Sequence, residues 1–236
     1  MRMQGNPQGS AAAVVLFDID GTLIRRAGPQ HREALVEAVR RVTGLEAGID
    51  HIPVQGMLDR KILETMLLDA GASMGLVRRS MRRLVEQAQG IYARRCPASL
   101  RAKTCPGVRS VLYRLKRREI PAGLVTGNLS RIGWKKMERA GLKEYFRFGA
   151  FAEQAGERAG LVRIAVREAR SRGWMNGATP VWLVGDHPND ILAAKANGVG
   201  SVAVATGLSS REELGAHKPD LLLDDLRGLR LEMLLK

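Results

Sequence analysis

Continuous apolar runs alternate with amphipathic segments along most of the chain. A continuous apolar run predicts a strand buried on both faces, whereas apolar residues at helical spacing predict a helix. The predicted strands are 11–17, 120–125, 146–151, 181–184, 201–205 and 221–223. The predicted helices between them are 107–118, 131–140, 161–172 and 189–197. This alternation predicts an α/β fold, a Rossmann-like, doubly wound parallel sheet with helices on both faces.

Residues 25–101 interrupt the alternation. They show helical patterns at 30–43, 59–69 and 76–95 and no convincing strand. We therefore predict a catalytic core formed by residues 11–24 and 102–236, with an all-helical cap domain inserted at 25–101. Residues 1–10 are polar and lack an apolar segment, which predicts a flexible tail rather than a signal peptide.

The composition is typical of a globular protein. The chain has 236 residues, 45% of them hydrophobic, enough to build a packed core. The longest apolar runs are much shorter than a membrane span, so we predict no membrane association and a cytoplasmic monomer or homodimer. Cys96 and Cys105 match neither a zinc spacing nor a disulfide framework, which predicts two reduced thiols.

The charge is strongly basic, with 38 Lys and Arg residues against 24 acidic ones and a net charge of +14. Such an excess is typical of some nucleic-acid-binding proteins. Here the basic residues are spread along the chain and interleaved with glutamates on helical segments, as in residues 163–172. We interpret them as a solvated surface that favours anionic small molecules, and a nucleic-acid partner is not favoured.

Two carboxylates follow the first predicted strand. In a parallel sheet, ligands bind beyond the carboxyl ends of the strands. Asp18 and Asp20 are two residues apart in an extended segment, so their side chains point toward the same side, and Gly21 allows the chain to turn away at once. One carboxylate could attack phosphorus while the other moves protons.

Two further polar groups follow later strands. The segment Thr126–Asn128, with Gly127 between, offers a hydroxyl and backbone N–H groups suited to phosphate oxygens. Asp186 and Asp190 add two acids that would repel Asp18 unless a cation lay among them, and Mg²⁺ prefers such oxygen ligands. Each group alone is common in turns and helix N-termini. Their occurrence together, each after an apolar strand, favours an active site.

This combination resembles the haloacid dehalogenase superfamily, in particular its phosphoglycolate-phosphatase-like branch with a helical cap. The segment Asp18-Ile-Asp-Gly-Thr-Leu resembles the family's first motif, which implies that Asp18 is the nucleophile and Asp20 the general acid/base. The resemblance makes Asp18, the Asp20 carbonyl and Asp186 Mg²⁺ ligands, with Asp190 supporting the metal shell. Thr126 resembles the phosphate-binding residue of the second motif.

The third motif departs from the family pattern. The family has a lysine near the start of the helix before the fourth-motif strand, and this sequence has none there. Arg158 occupies the expected position, and a guanidinium can hold a phosphoryl oxygen while pairing with carboxylates. Arg163 is the competing candidate, and a surface role for Arg158 remains an alternative.

The segment 56–61 resembles the loop with which related caps reach the active site, except that Leu58 replaces a threonine. Gly56 and Arg60 are therefore predicted to contact substrate, and Lys61 could join Arg60 in binding an anionic group. Asp59 has a second interpretation, as the N-cap of the following helix.

The histidines are less informative than these acids. We predict that His187 shapes its loop, and no function is predicted for His31 or His51.

The sequence therefore predicts a Mg²⁺-dependent phosphatase that hydrolyses small phosphate monoesters through an aspartyl-phosphate on Asp18. One alternative is a phosphosugar mutase of the same superfamily, which would return the phosphoryl group to its substrate. Another is an inactive nucleic-acid-binding protein, suggested by the net charge and opposed by the retained acids.

Overall fold

The computed structural model describes residues 10–25 and 28–235. The strands are β1 (Val14–Phe17), β2 (Ala122–Val125), β3 (Phe146–Ala150), β4 (Val181–Gly185), β5 (Gly200–Val204) and β6 (Leu221–Leu223). The α-helices are α1 (Gln30–Thr43), α2 (Asp59–Asp69), α3 (Met74–Arg95), α4 (Val108–Arg117), α5 (Ser130–Ala140), α6 (Arg158–Ser171), α7 (Pro188–Lys195) and α8 (Arg211–Ala216). Short 3₁₀ helices cover Arg101–Lys103, Lys143–Tyr145, Leu226–Gly228 and Leu231–Leu234.

The six strands form one parallel sheet in the order β3-β2-β1-β4-β5-β6. The order reverses direction at β1, which is where a doubly wound sheet places its ligand site. Because crossovers between parallel strands are right-handed, this reversal puts helices on both faces of the sheet. The predicted fold class is confirmed.

The centre of the sheet is completely apolar. All four residues of β1 have 0% exposure, as expected for a parallel strand covered on both faces. Helix α6 packs against β2 and β3, while α7 packs against β4 and β5. Phe17 meets Phe146 edge to face, with the ring centroids 6.0 Å apart. This rigid centre fixes the positions of the residues that follow the strands.

Helices α1, α2 and α3 occupy the segment between β1 and α4. Helix α3 packs against both α1 and α2, and it also contacts α5. Among the described residues of this segment, no strand is found. Ile24 pairs with Thr104 in an isolated antiparallel bridge, so the chain leaves and re-enters the sheet region side by side. The boundaries of a separate cap domain stay a prediction.

The structure differs from the sequence predictions at several element ends. Helix α6 begins at Arg158, three residues before the predicted start, and α8 was not predicted. The predicted tail falls almost entirely on residues 1–9, which lie outside the described residues.

Cys96 and Cys105 are buried and free. No helix among the described residues is both long and apolar enough to cross a membrane.

Candidate active site

The central strands bring the predicted residues together at one edge of the sheet. Strand β1 lies between β2 and β4, with Phe17 in register with Leu124 and Val184. The residues that follow these strands therefore sit side by side. They are Asp18, the segment 126–128 and Asp186, as the sequence predicts.

Asp18 is buried at the centre of this edge, with 6% exposure. Its Oδ2 lies 3.3 Å from Nη1 of Arg158. Its Oδ1 is buried and has no hydrogen-bond partner among the described residues. A buried carboxylate oxygen is costly to leave unpaired, so this atom fits a site for a cation or a reacting group.

Arg158 is the first residue of α6 and points into the site. Its Nη1 donates a hydrogen bond to Oδ1 of Asp190 at 2.7 Å, and its side chain is 7% exposed. Burial lowers the pKa of Arg158, but the carboxylates of Asp190 and Asp18 outweigh it and raise the pKa, so the guanidinium stays cationic. Arg163, the competing candidate, is half-exposed and pairs with Glu157 at 3.1 Å.

Three buried acids form a cluster around the end of β1. Asp18, Asp186 and Asp190 each offer an oxygen within 4.8 Å of the others. Burial raises the pKa of Asp190 to about 7, and the Asp18 carboxylate adds to the rise while Arg158 opposes it. Burial, followed by the charges of Asp18 and Asp190, holds the pKa of Asp186 well above its ordinary value. Such mutual repulsion is relieved by a divalent cation.

Two close approaches shape the pocket around Asp186. Thr22 donates a hydrogen bond to Oδ1 of Asp186 at 2.8 Å. Gly21 has a φ of 87°, and a Cβ there would overlap the Asp186 carboxylate. Only glycine leaves room for this acid, so the turn after the first motif and the acid after β4 are built around each other. Together with the unpaired Oδ1 of Asp18, this donor set fits Mg²⁺.

The acid after β4 is followed by a well-capped helix. His187 is the N-cap of α7 and accepts a hydrogen bond from the Asn189 backbone at 3.1 Å. Asp190 Oδ2 accepts one from the His187 backbone at 3.2 Å. Asp190 thus accepts hydrogen bonds both from the N-terminus of α7 and from Arg158. The predicted loop-shaping position of His187 agrees with this geometry.

The loop after β2 is held by its own side chains. Thr126 is completely buried, and its Oγ1 accepts hydrogen bonds from the Asn128 backbone and from Asn128 Nδ2, the latter at 2.8 Å. Asn128 Nδ2 also donates to Oδ2 of Asp20 at 2.8 Å. Gly127 and Asn128 line the cavity over the site, with Thr126 behind them.

The match of the sequence to a family profile identifies the family of this chain. The profile of haloacid dehalogenase-like hydrolases matches residues 12–198, which span the sheet from β1 through α7. The chain belongs to the haloacid dehalogenase-like hydrolases. The predicted family, and with it the prediction of an enzyme, is confirmed.

Named relatives cover most of this hydrolase. It is 28% identical to a phosphoglycolate phosphatase of Pseudomonas putida over 232 residues, 94% of this chain and 79% of the relative. It is 29% identical to a phosphoglycolate phosphatase of Synechococcus elongatus over 217 residues, 89% of this chain and 92% of the relative. In structure it is similar to a β-phosphoglucomutase of Clostridium difficile, with a TM-score of 0.70, 20% identity and 93% coverage of both chains.

A cavity of about 1010 Å³ lies between the sheet edge of the hydrolase and the inserted segment, and helices α1 and α2 line it. Gly56 lines it and has a φ of 65°, and its carbonyl accepts a hydrogen bond from Asn189 at 3.0 Å. The two basic residues of the same loop are predicted to contact the substrate, but they lie outside this cavity. Arg60 and Lys61 are exposed and are not among the described residues that line the cavity, and Lys61 pairs with Glu64 at 3.1 Å.

Asp59 does not cap its own helix. It is the first residue of α2, whose N-cap is Leu58, and no side-chain cap is formed. Instead Asp59 Oδ2 accepts hydrogen bonds from the Leu129 backbone and from His31 Nε2, both at 2.8 Å. The interpretation of Asp59 as an N-cap is therefore wrong, because its carboxylate reaches across to the loop after β2.

Sequence reasoning missed Lys136 and the position of His31. Lys136 Nζ lies 2.5 Å from Oδ2 of Asp20, and Lys136 is 1% exposed. Desolvation raises the pKa of Asp20, but Lys136, then His31, and then the hydrogen bonds from Lys136 and Asn128 outweigh it and hold that pKa below its usual value. One signal was available. Lys136 falls on the buried stripe of α5 with Ile132 and Ala140, where a solvated lysine is not expected.

Proposed function

We propose that this hydrolase is a Mg²⁺-dependent phosphatase that acts on small phosphate monoesters through an aspartyl-phosphate on Asp18. The proposal rests on the surroundings of the two carboxylate oxygens of Asp18. One of its oxygens is close to Arg158, and the other is buried at the floor of a large cavity without a hydrogen-bond partner in the described part of the chain. The phosphoglycolate phosphatases among the relatives support the same chemistry.

The first half-reaction uses both acids of the first motif. An Asp18 oxygen attacks phosphorus in line with the ester bond, so a P–O bond to Asp18 forms as the bond to the leaving oxygen breaks. Asp20 lines the cavity with 39% of its side chain exposed. Because its pKa is low, it is ionised in the free enzyme, so it takes a proton from the bound ester monoanion and passes it to the departing alkoxide. The alcohol product then leaves.

The second half-reaction restores the enzyme. The Asp20 carboxylate, now without its proton, takes one from a water molecule as that water attacks the aspartyl-phosphate. The bond between phosphorus and Asp18 breaks, and the proton on Asp20 leaves with inorganic phosphate, which returns Asp20 to its ionised state. No oxidant or further reactant is needed.

The charge that develops on the phosphoryl group needs fixed positive partners. Arg158 offers a guanidinium beside Asp18, and its Nε is buried without a partner among the described residues. Gly127 of the loop after β2 lines the cavity at the same edge and offers its backbone N–H. Thr126 supports that loop from behind.

Mg²⁺ would be held by Asp18, by Asp186 and by the main-chain carbonyl of Asp20, with Asp190 supporting them. When bound, it would offset the mutual repulsion of the acids and polarise the phosphoryl oxygens. The unpaired Asp18 Oδ1 and the raised pKa of Asp186 both favour this assignment.

We further propose that the substrate carries a second anionic group. Arg25 and Lys103 both line the cavity, and the Arg25 backbone N–H bonds the Lys103 carbonyl at 2.7 Å. Their side chains therefore leave neighbouring points of the chain, where a carboxylate could be bound. Arg25 and Lys103 therefore replace Arg60 and Lys61 as the candidates for binding an anionic group of the substrate. A phosphorylated hydroxy acid such as phosphoglycolate fits this description.

A panel of phosphate esters assayed with and without Mg²⁺ tests the proposal. We expect free phosphate from small carboxylated esters, dependence on Mg²⁺, and loss of activity in EDTA that Mg²⁺ reverses. A sugar 1-phosphate converted to an isomeric phosphosugar without phosphate release would support the mutase instead. Salt-sensitive retention of DNA or RNA without turnover of any ester would support the nucleic-acid-binding alternative.

A further inference from the structure

Lys136 is a buried cation that the reaction described above does not use. It lies on α5, is 1% exposed, and extends from the apolar face of that helix. An ammonium so far from water is strongly unfavourable unless its donors are paired. The side chains around the ammonium must therefore supply hydrogen-bond acceptors for it.

All three donors of the ammonium have acceptors. Nζ lies 2.5 Å from Asp20 Oδ2, 2.6 Å from Asn128 Oδ1 and 3.2 Å from His31 Nδ1. It also lies 6.0 Å from the centre of the Tyr92 ring, within reach of a cation–π interaction. A lysine has three N–H groups, so this cage satisfies it completely.

The cage binds a single oxygen of Asp20. Oδ2 accepts from Lys136 and from Asn128 Nδ2. Among the described residues, Oδ1 has no hydrogen-bond partner, while Asp20 itself lines the cavity. Two donors on one oxygen fix the plane of the carboxylate and leave the other oxygen for chemistry.

A second layer from the inserted helices holds the cage closed. Asp59 Oδ2 accepts from His31 Nε2 at 2.8 Å, which leaves His31 Nδ1 as the acceptor for Lys136 in one neutral tautomer. The same Asp59 oxygen accepts from the Leu129 backbone, and the Asp59 N–H donates to the Gly127 carbonyl at 2.8 Å. His31 and Asp59 are thus tied to the loop that carries Asn128.

We propose that Lys136 is a positioning residue for Asp20, and that the Asp59–His31 pair of the inserted helices keeps it in place. Lys136 and Asn128 hold Asp20 by Oδ2 so that Oδ1 faces the proton it exchanges with the leaving group and with water. This inference rests on the proposed function, because it takes Asp20 as the general acid/base.

The variant Lys136→Met tests it, because methionine keeps most of the volume and removes the charge. We measure kcat and KM with an alkyl phosphate and with p-nitrophenyl phosphate, whose leaving group needs little protonation. We expect kcat for the alkyl ester to fall by about 10- to 100-fold, as for a displaced catalytic group. The loss with p-nitrophenyl phosphate should be much smaller, and KM should change little for either ester.

The matched control is Lys135→Met. Lys135 is the neighbouring residue on α5, is 20% exposed, and pairs with Glu138 at 2.9 Å. It should keep wild-type kcat with both esters. A merely structural role of Lys136 would lower both activities together.

A double-mutant cycle identifies the residue through which Lys136 acts. In an Asp20→Asn background, Lys136→Met should cause no further loss, because its partner has already lost its function. An equal loss with both esters, or a full additional loss in the Asp20→Asn background, would overturn the inference. If Asp20→Asn lowers alkyl ester turnover and Lys136→Met does not, this inference fails alone. If Asp20→Asn has no effect, the proposed function fails with it.

His31→Phe keeps the inference testable if Lys136→Met does not fold, as judged by circular dichroism and thermal unfolding. Phenylalanine retains the edge-to-face contact of the ring with Tyr92, now 5.7 Å between centroids, and removes both nitrogen contacts. We expect the same preference for alkyl esters in the loss of kcat, at smaller size. Wild-type kcat with both esters in His31→Phe would overturn the role of the Asp59–His31 pair.

Discussion

Nη1 of Arg158 lies 2.7 Å from Oδ1 of Asp190, and both side chains are buried. The same nitrogen lies 3.3 Å from Asp18 Oδ2. A planar guanidinium can meet two carboxylates and still present a further donor, whereas a lysine ammonium is a single point of charge. Arg158 therefore connects the proposed nucleophile to the acid at the start of α7, and its role in place of the family's lysine stays a prediction.

Arg158→Ala should lower kcat by about 10²–10³, the loss typical when one donor to the developing charge is removed. Arg158→Lys should keep measurable activity because the family ordinarily has an ammonium here. Arg163→Ala is the matched control, since Arg163 is half-exposed and pairs with Glu157. Steady-state kinetics on the three variants decide the matter. If Arg163→Ala is inactive and Arg158→Ala is not, the assignment of Arg158 is wrong.

Mg²⁺ should stabilise the protein more at about pH 8 than at about pH 6. Asp190 has a pKa of about 7, so at the lower pH the cation must displace a proton from the acid cluster. The sign for the metal-free protein is opposite. A carboxyl group whose pKa is higher when folded contributes stability below its unfolded pKa of about 4, and this is lost as the pH rises through about 7.

Thermal unfolding with and without Mg²⁺ at both pH values measures this effect. Asp186→Asn is the control, because it removes one proposed ligand and should abolish the Mg²⁺-induced rise in Tm. The same rise in Asp186→Asn as in the wild type, or a larger rise at the lower pH, would contradict the proposed metal site.

Substrate selectivity should depend on Arg25 and Lys103 rather than on the predicted Arg60 and Lys61. Replacing Arg25 and Lys103 together by alanine should raise KM for a carboxylated ester by about tenfold, the effect of two partly solvated ion pairs. KM for p-nitrophenyl phosphate should change little, since it has no second anion. Arg60→Ala with Lys61→Ala is the matched double variant and should leave both KM values near wild type. The reverse pattern would restore the predicted loop residues as the specificity determinants.

Gly56→Ala should be much more harmful than Gly71→Ala. Both glycines have positive φ, 65° and 81°, which costs an alanine about 1–2 kcal/mol. A Cβ at Gly56 would overlap the His187 ring, whereas one at Gly71 meets nothing within 4 Å. Urea unfolding should therefore show a larger loss of stability for Gly56→Ala, with lower phosphatase activity. Equal losses in the two variants would show that contact of Gly56 with His187 is unimportant.

The strands and the acids at their ends were predictable because most strands are short apolar runs, although β3 contains Arg147 and β5 contains Ser201. β6 matches its predicted bounds, Asp18 directly follows β1, and Asp186 directly follows β4. A parallel sheet then requires these ends to meet at one edge. Helix α8 is not predicted from the sequence because its six residues show little apolar periodicity.

The polar cage around Asp20 was not predictable in the same way. Lys136 and His31 are more than 100 residues apart, and the one local signal is the place of Lys136 on the buried stripe of α5. Arg60 and Lys61 were chosen for their charge in a promising loop, but they fall on the outer side of α2, as their exposure shows. Which side of a helix faces the site depends on how the inserted helices pack on the sheet, and local patterns do not determine that packing.

The turnover of Asp18→Asn tests the central claim most directly. An amide cannot act as the attacking nucleophile, so phosphate release from this variant should be abolished while circular dichroism shows an intact fold. Asp224→Asn, the same change at an exposed residue paired with Arg211, should retain wild-type phosphate release. Phosphate release by Asp18→Asn at a near wild-type rate would contradict the aspartyl-phosphate mechanism.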